Sequence, residues 1–157
     1  MIATLMAIAT AVSATSYDCV AEQQVALVSE GDNWSSNSQR VSRDQSETFS
    51  WTFVVTRDED GAIRVEHDPG ILDALGLGGQ YDAFSIAEGQ FAFSTFKGRN
   101  CMLTELACGT LVEISDINDR EAIFSITPTG SIRQNDGSRE VFQLIMLGTC
   151  SKTEVTE

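Results

Sequence analysis

Apolar and polar residues alternate with a period of two along much of the chain. The clearest run includes Phe49, Trp51, Phe53 and Val55, with Ser50 and Thr52 between them. A period of two places every second side chain on one face of a strand, so this run predicts a strand with one buried face. The alternation resumes at Ile63, Val65 and His67 after the segment Arg57-Asp58-Glu59-Asp60-Gly61. The two runs therefore predict a β-hairpin with an Asp-Gly turn.

Other segments of similar length show the same pattern. The predicted strands are Val20–Val28, Ala83–Ala87, Gln90–Phe96, Thr110–Ser115, Ala122–Thr127 and Glu140–Thr149. Residues 116–119 and 135–138 are rich in Asp and Asn and lie between strands, where they predict turns. Many short strands with polar turns favour an all-β fold, an antiparallel up-and-down barrel or sandwich of about 7–8 strands.

Residues 69–79 depart from this pattern. Ile71, Leu72, Leu75 and Leu77 follow Pro69 at spacings that suit one or two helical turns. We expect a short helix or a loop that covers the strands. Since no linker, repeat or low-complexity segment interrupts the rest, residues 15–157 are expected to form one domain.

The first 14 residues predict a cleaved signal peptide. No charged side chain precedes Asp18, and Val12-Ser13-Ala14 fits the small-residue rule for signal peptidase. An ordinary buried N-terminal helix is the alternative. No later segment is long and apolar enough for a spanning helix, so no membrane span is expected.

Four cysteines form an even set, which behind an export signal favours two disulfides and a periplasmic or secreted location. Three pairings are possible. We favour Cys19 with Cys150, because they bracket nearly the whole mature chain, and Cys101 with Cys108, which would close a small loop. Metal binding is less favoured, because the chain has no Cys-x-x-Cys pair.

The charge of the chain narrows the class of partner. It contains 23 acidic and 10 basic residues, for a formal net charge of −13. Such a field repels nucleic acid and anionic lipid, and attracts a cationic partner such as a basic protein face. The simpler interpretation is solubility.

The residues available for catalysis do not favour an enzyme. His67 is the only histidine, and there is no Gly-x-Ser-x-Gly motif. Carboxylates around His67, within Glu66-His67-Asp68, remain the catalytic alternative, while its place in the alternation favours a barrel-lining or surface position. The segment Leu75-Gly76-Leu77-Gly78-Gly79 lacks the Lys and Ser or Thr of a phosphate-binding loop, and no metal or other cofactor is expected.

Aromatic residues offer the best candidates for a binding site. Trp51 and Phe53 on one predicted strand, with Phe91 and Phe93 on another, would either fill the core or line a cavity for a small apolar ligand. Trp34 lies in the polar stretch 31–38, which we interpret as a loop, where an aromatic side chain either contacts a partner or folds back to plug the barrel.

The two ends of the predicted mature chain resemble small exported proteins of alphaproteobacteria. The likeness covers Tyr17-Asp18-Cys19 and Leu147-Gly148-Thr149-Cys150. It implies a periplasmic or secreted location and a bond between the terminal cysteines. It implies no activity and no site residues.

These features favour a non-catalytic binding module with a small apolar ligand inside or a protein partner outside. Two alternatives remain open at this point. One is a periplasmic inhibitor of a hydrolase or protease, and the other is an enzyme that uses carboxylates around His67.

Overall fold

The structure, a computed structural model, describes residues 13–30, 33–42, 44, 49–67, 79–97, 108–133, 137 and 139–155. These residues form nine β-strands and contain no α-helix. The strands are β1 (Ser13–Glu30), β2 (Asn33–Arg40), β3 (Ser50–Arg57), β4 (Ile63–His67), β5 (Gly79–Ala87), β6 (Gln90–Lys97), β7 (Cys108–Asp116), β8 (Glu121–Arg133) and β9 (Arg139–Val155).

Eight of the strands close into an antiparallel barrel. Strands β3 to β9 pair in chain order, and β1 pairs with both β3 and β9. The ninth strand, β2, pairs with the second half of β1, beyond the part that pairs with β3. Closure removes free edges from the barrel itself. The prediction of an antiparallel barrel or sandwich is confirmed as a barrel.

Alternation explains why these segments form the wall. In β4 the pattern of buried and exposed residues is strictly alternate, with Ile63, Val65 and His67 buried. The same holds for Trp51, Phe53 and Val55 in β3. The Asp-Gly hairpin is confirmed, since Thr56 pairs with Arg64 and Gly61 takes a φ of 85° in the turn. A residue without Cβ adopts that angle at low cost.

One strand was not predicted. The segment containing Trp34 is β2 and not a loop, and all eight of its residues are exposed. Because neither face of β2 is buried, its sequence carries no alternation, and only pairing with β1 shows that it is a strand.

A β-bulge in β1 brings two strands unusually close. The register against β9 shifts between Ala21 and Gln23. A Cβ placed on Gly148 of β9 would overlap the Val20 carbonyl oxygen and approach Ala21 Cα to 2.9 Å. Only glycine therefore fits at position 148 while the bulge is present.

The terminal strands are joined by the predicted disulfide. Cys19 and Cys150 lie opposite each other in β1 and β9 and are bonded. The other predicted pair, Cys101 with Cys108, lies outside the described residues and side chains. So does the segment 69–78 of the expected cover, while Gly79 begins β5. Of the predicted leader, residues 1–12 are not described, and Ser13 and Ala14 lie in β1.

The two ends of the barrel differ in their connections. At one end, short turns at residues 58–62, 88–89 and 117–120 join successive strands. We call this the short-turn end. At the other end, residues 68–78 join β4 to β5, residues 98–107 join β6 to β7, and the shorter segment 134–138 joins β8 to β9. We call it the His67 end, because β4 ends there at His67.

Candidate functional site

The predicted aromatic site residues lie inside the barrel and contact one another. Trp51, Phe53, Phe91 and Phe93 are all 0–2% exposed. Phe53 packs edge-on against Phe93, and Trp51 packs edge-on against Phe124, each pair with ring centroids 5.7 Å apart. These rings are part of the hydrophobic core of the barrel. Trp34, by contrast, is 64% exposed on β2.

Polar groups at the short-turn end are paired with one another. The Tyr17 hydroxyl donates a hydrogen bond to Asp116 Oδ1 (3.2 Å), and Lys152 Nζ lies 2.9 Å from Asp116 Oδ2. Lys152 also donates to the Asn118 carbonyl oxygen and lies 5.8 Å from the centre of the Tyr17 ring. This end therefore carries an ion pair, and its carboxylate also accepts the hydrogen bond from the Tyr17 hydroxyl.

The same network changes the acidity of Tyr17. The pKa of Tyr17 is raised to about 12, mainly by burial and also by the negative charge of Asp116 and the hydrogen bond that the hydroxyl donates to it, while Arg57 acts in the opposite direction. The protonated phenol is thus the form that fits this site.

At the His67 end, a buried histidine has only one of its two ring nitrogens hydrogen-bonded. His67 is 5% exposed, and its Nδ1 lies 2.7 Å from the Thr52 carbonyl oxygen. A carbonyl oxygen can only accept, so Nδ1 carries the proton and donates it. In the neutral imidazole, Nε2 is then an acceptor. Within the described part of the chain, Nε2 is buried and has no hydrogen-bond partner.

The neighbouring Trp51 has an unpaired donor where His67 has an unpaired acceptor. Its indole Nε1–H can only donate, and this buried atom also lacks a partner among the residues that the structure describes. Phe53, two residues along β3 from Trp51, is paired with His67 in register. Trp51 and His67 are therefore diagonal neighbours on the inner face. Leaving one such buried group unpaired typically costs about 1–3 kcal/mol.

Two further polar residues face the interior near this end. Thr95 of β6 and Thr110 of β7 are buried and paired with each other in register. Both lie close to the strand ends that residues 98–107 connect. Buried polar side chains of the interior wall are therefore concentrated at the His67 end, together with the two unpartnered nitrogens.

The outside of the barrel carries a second candidate site. Val20, Ile123 and Leu147 are each 38–50% exposed. Val20 of β1 and Ile123 of β8 both pair with Thr149 of β9, so they flank it in one row of the sheet. Leu147 lies two residues from Thr149 and thus on the same face. We call Val20, Ile123 and Leu147 the apolar face.

Carboxylates surround the apolar face. Asp18 and Glu121 both pair with Ser151, in the row next to Val20 and Ile123. Glu22 accepts a hydrogen bond from the Thr149 hydroxyl (2.8 Å), and Glu113 accepts one from the Ser125 hydroxyl (3.1 Å). We call these four residues the acidic rim.

The described side chains of the strands that carry the rim offer little positive charge. Among the described side chains of β1, β7, β8 and β9, the only basic one is Lys152. Its charge is used in the ion pair with Asp116. Two cations lie outside these strands: Arg40 of β2, which lines a depression with Glu22 and Gln23, and Arg120, which precedes Glu121 in the turn after β7, so the four carboxylates outnumber the nearby basic groups. The apolar face therefore lies in a locally negative field.

A depression lies at the centre of the apolar face. It has a volume of about 330 Å³ and is lined by Glu22, Gln23, Ile123, Phe124, Leu147, Gly148 and Thr149. Ile123 and Leu147 supply apolar walls of this depression, and Glu22 lies among its lining residues. Apolar walls with one carboxylate at the edge suit the stem and charge of a Lys or Arg side chain.

Other kinds of site find little support in the described structure. The described residues contain no group of three or more His, Cys, Asp or Glu placed to hold a metal ion. Glu66 is exposed while His67 is buried, so the two neighbours lie on opposite faces of β4, and Asp68 lies outside the described residues. No helix in the described ranges has the length and apolar character needed to span a membrane.

Sequence reasoning found some of these residues and missed others. It selected the interior aromatics and His67, because alternation shows which residues share a face. It missed the acidic rim, because Asp18, Glu22, Glu113 and Glu121 are scattered in sequence and are brought together only by strand register. The unpartnered nitrogens depend on three-dimensional packing and leave no signal in the sequence.

Comparisons with known proteins leave the chain without an assigned family. The sequence matches no protein-family model, and no curated protein matches it. The resemblance of its two ends to small exported proteins of alphaproteobacteria stays a prediction.

Proposed function

We propose that this protein is an exported, non-catalytic binding module that holds a basic protein partner on the apolar face. The observation that carries the proposal is the apolar face itself. Four carboxylates enclose it, and no described side chain of the same strands adds an unpaired positive charge. An apolar centre with a polar rim is the usual arrangement of a protein–protein interface.

The depression at Gly148 supplies an anchor point for such a partner. A Lys or Arg side chain can lay its stem against Ile123 and Leu147 while its charge approaches Glu22. Buried anchors of this kind contribute much of the binding energy of an interface, and the remaining carboxylates increase the rate of association.

The interior offers less support for the alternative of a small apolar ligand. Phe53, Phe91 and Phe93, which would have lined its cavity, pack against other core rings. The external partner is therefore the better supported of the two forms of binding.

The location is part of the same proposal. A disulfide between Cys19 and Cys150 is compatible with an oxidising compartment. If the predicted leader directs export, the protein lies in the periplasm or outside the cell. The mass of the protein isolated from its own cell would test cleavage after Ala14.

Site-specific photo-crosslinking in the native compartment tests the partner. A photoreactive amino acid at position 123 should capture a protein with a basic isoelectric point, and capture should fall at raised ionic strength because the rim charges are exposed. The matched control is the same group at Phe84, which is exposed on β5, outside the apolar face. Glu22→Gln should reduce capture at position 123.

Two results would reject the proposal. One is the same set of products from positions 123 and 84, which would indicate random collisions. The other is a captured partner that is acidic, or whose capture does not change with salt or with Glu22→Gln.

A further inference from the structure

The two unpartnered nitrogens at the His67 end form a complementary pair. Trp51 Nε1 can only donate a hydrogen bond, and in the neutral imidazole, with its proton held on Nδ1 by the Thr52 carbonyl, His67 Nε2 can only accept one. Both side chains are more than nine-tenths buried. The described structure contains no group that serves either atom.

We propose that the His67 end of the barrel binds a small, neutral, hydroxyl-bearing molecule that donates to His67 Nε2 and accepts from Trp51 Nε1. This inference concerns the interior and does not depend on the apolar face. A hydroxyl is both donor and acceptor, so a compound with one or two hydroxyls meets both needs.

Charged ligands fit this pair less well. A carboxylate accepts from Trp51 but has no proton for His67 Nε2, and the chain's net charge of −13 opposes its approach. An ammonium ion donates to His67 but cannot accept from Trp51. A neutral hydroxyl is the class that satisfies both atoms without burying a charge.

The surroundings limit the size of the ligand. Phe53 lies against His67, with ring centroids 5.1 Å apart, and Trp51 lies against Phe124. The core below these rings is fully buried. A compact molecule such as a short polyol is therefore the expected size, and the hydroxyls of Thr95 and Thr110 belong to the same end of the wall.

Among the residues that the structure describes, the opposite end of the barrel offers no equivalent pair of unpartnered atoms. The Tyr17 hydroxyl is bonded to Asp116, and Lys152 is paired with the same carboxylate. Polar atoms that already have partners are poor ligand groups, because binding would have to break an existing bond. The proposal therefore assigns the ligand to the His67 end alone.

Nuclear magnetic resonance of the full chain tests this directly. The protein has two tryptophans and one histidine, so both indole N–H signals and the imidazole nitrogens can be assigned. Ethylene glycol, glycerol and erythritol are the probes. Sodium acetate and methylammonium chloride are the matched charged controls.

We expect at least one of the three polyols to shift the Trp51 indole and His67 Nε2 signals saturably, with one common dissociation constant. Trp34, which is exposed on β2, should show no saturable change. Acetate and methylammonium should produce no saturable shift of both signals. His67→Phe should weaken polyol binding at least tenfold, measured at the Trp51 signal.

Three outcomes would overturn the proposal. The first is parallel, unsaturated drift of Trp51 and Trp34, which indicates a general solvent effect. The second is binding that His67→Phe leaves unchanged. The third is an experimental structure with polyol present in which only ordered water contacts Nε1 and Nε2. If His67→Phe does not fold, the comparison of polyol with acetate on the unaltered protein decides alone.

Discussion

The two ends of the barrel differ in how their buried polar groups are paired. At the short-turn end, Tyr17, Asp116 and Lys152 satisfy one another, so the chain closes its own interior. At the His67 end, His67 and Trp51 each keep one buried nitrogen without a partner in the described structure. Buried polar atoms are normally paired. An end that tolerates two exceptions is therefore the better candidate for a function beyond stability.

The turns follow the same division. Residues 117–120 are held by Asn118, whose side-chain oxygen accepts from the backbone nitrogens of Arg120 and Glu121. Such short turns leave little room for a ligand between strands. The connections at residues 68–78 and 98–107 are longer, as is common where loops contribute to function.

The largest expected effect comes from weakening the closure of the barrel, on which both ends depend. Replacing Cys19 and Cys150 together by Ala removes a crosslink between residues 131 positions apart. We expect the free energy of unfolding to fall by about 4 kcal/mol, since the crosslink restricts the unfolded chain. Urea unfolding measures this. A loss below about 1 kcal/mol would show that strand pairing alone holds β1 to β9.

The next effect concerns the bulge in β1, which lies against Gly148 of β9. Gly148→Ala places a methyl group against the Val20 carbonyl and the Phe124 ring, and should lower the free energy of unfolding by about 3 kcal/mol. Gly61→Ala is the matched control. No atom lies within 4 Å of its added methyl, so only its φ of 85° opposes the change, at about 1 kcal/mol. Equal losses in chemical denaturation would mean that crowding at position 148 is relieved by small movements.

A smaller effect, dependent on pH, should arise at the short-turn end. The pKa of Tyr17 is raised from 10.0 to about 12 in the native protein. The stabilisation due to this shift is fully present below pH 10 and is lost as the pH rises to 12, because the unfolded chain deprotonates first. At about 1.4 kcal/mol for each pKa unit, the loss is at most about 2.7 kcal/mol. In Tyr17→Phe, stability should fall less over this range, and an identical pH profile would show that Tyr17 does not titrate differently in the two states.

Much of the fold follows from the sequence, and the reason is physical. Burial of one face imposes the alternation of Ile63, Val65 and His67, and turns need residues such as Gly61, so walls and hairpins are visible in the chain. Strand β2 buries neither face and was missed. The pairing of Cys19 with Cys150 was predicted because they bracket the chain.

The candidate sites were less accessible to prediction. Asp18 and Glu121 become neighbours only because both lie opposite Ser151 in the closed barrel. The state of His67 depends on the Thr52 carbonyl, which any residue at position 52 would supply. Side-chain identity therefore predicts which groups are available, while register and packing decide which of them remain free.

The most direct test of the difference between the ends is a pair of matched substitutions studied by urea unfolding at pH 7. Tyr17→Phe removes a bonded hydroxyl and should cost about 2 kcal/mol, because Asp116 loses a donor. His67→Phe removes one bonded and one unpartnered nitrogen, whose effects offset each other, so stability should stay within about 1 kcal/mol of the unaltered protein. A loss in His67→Phe equal to or larger than that in Tyr17→Phe would contradict the account.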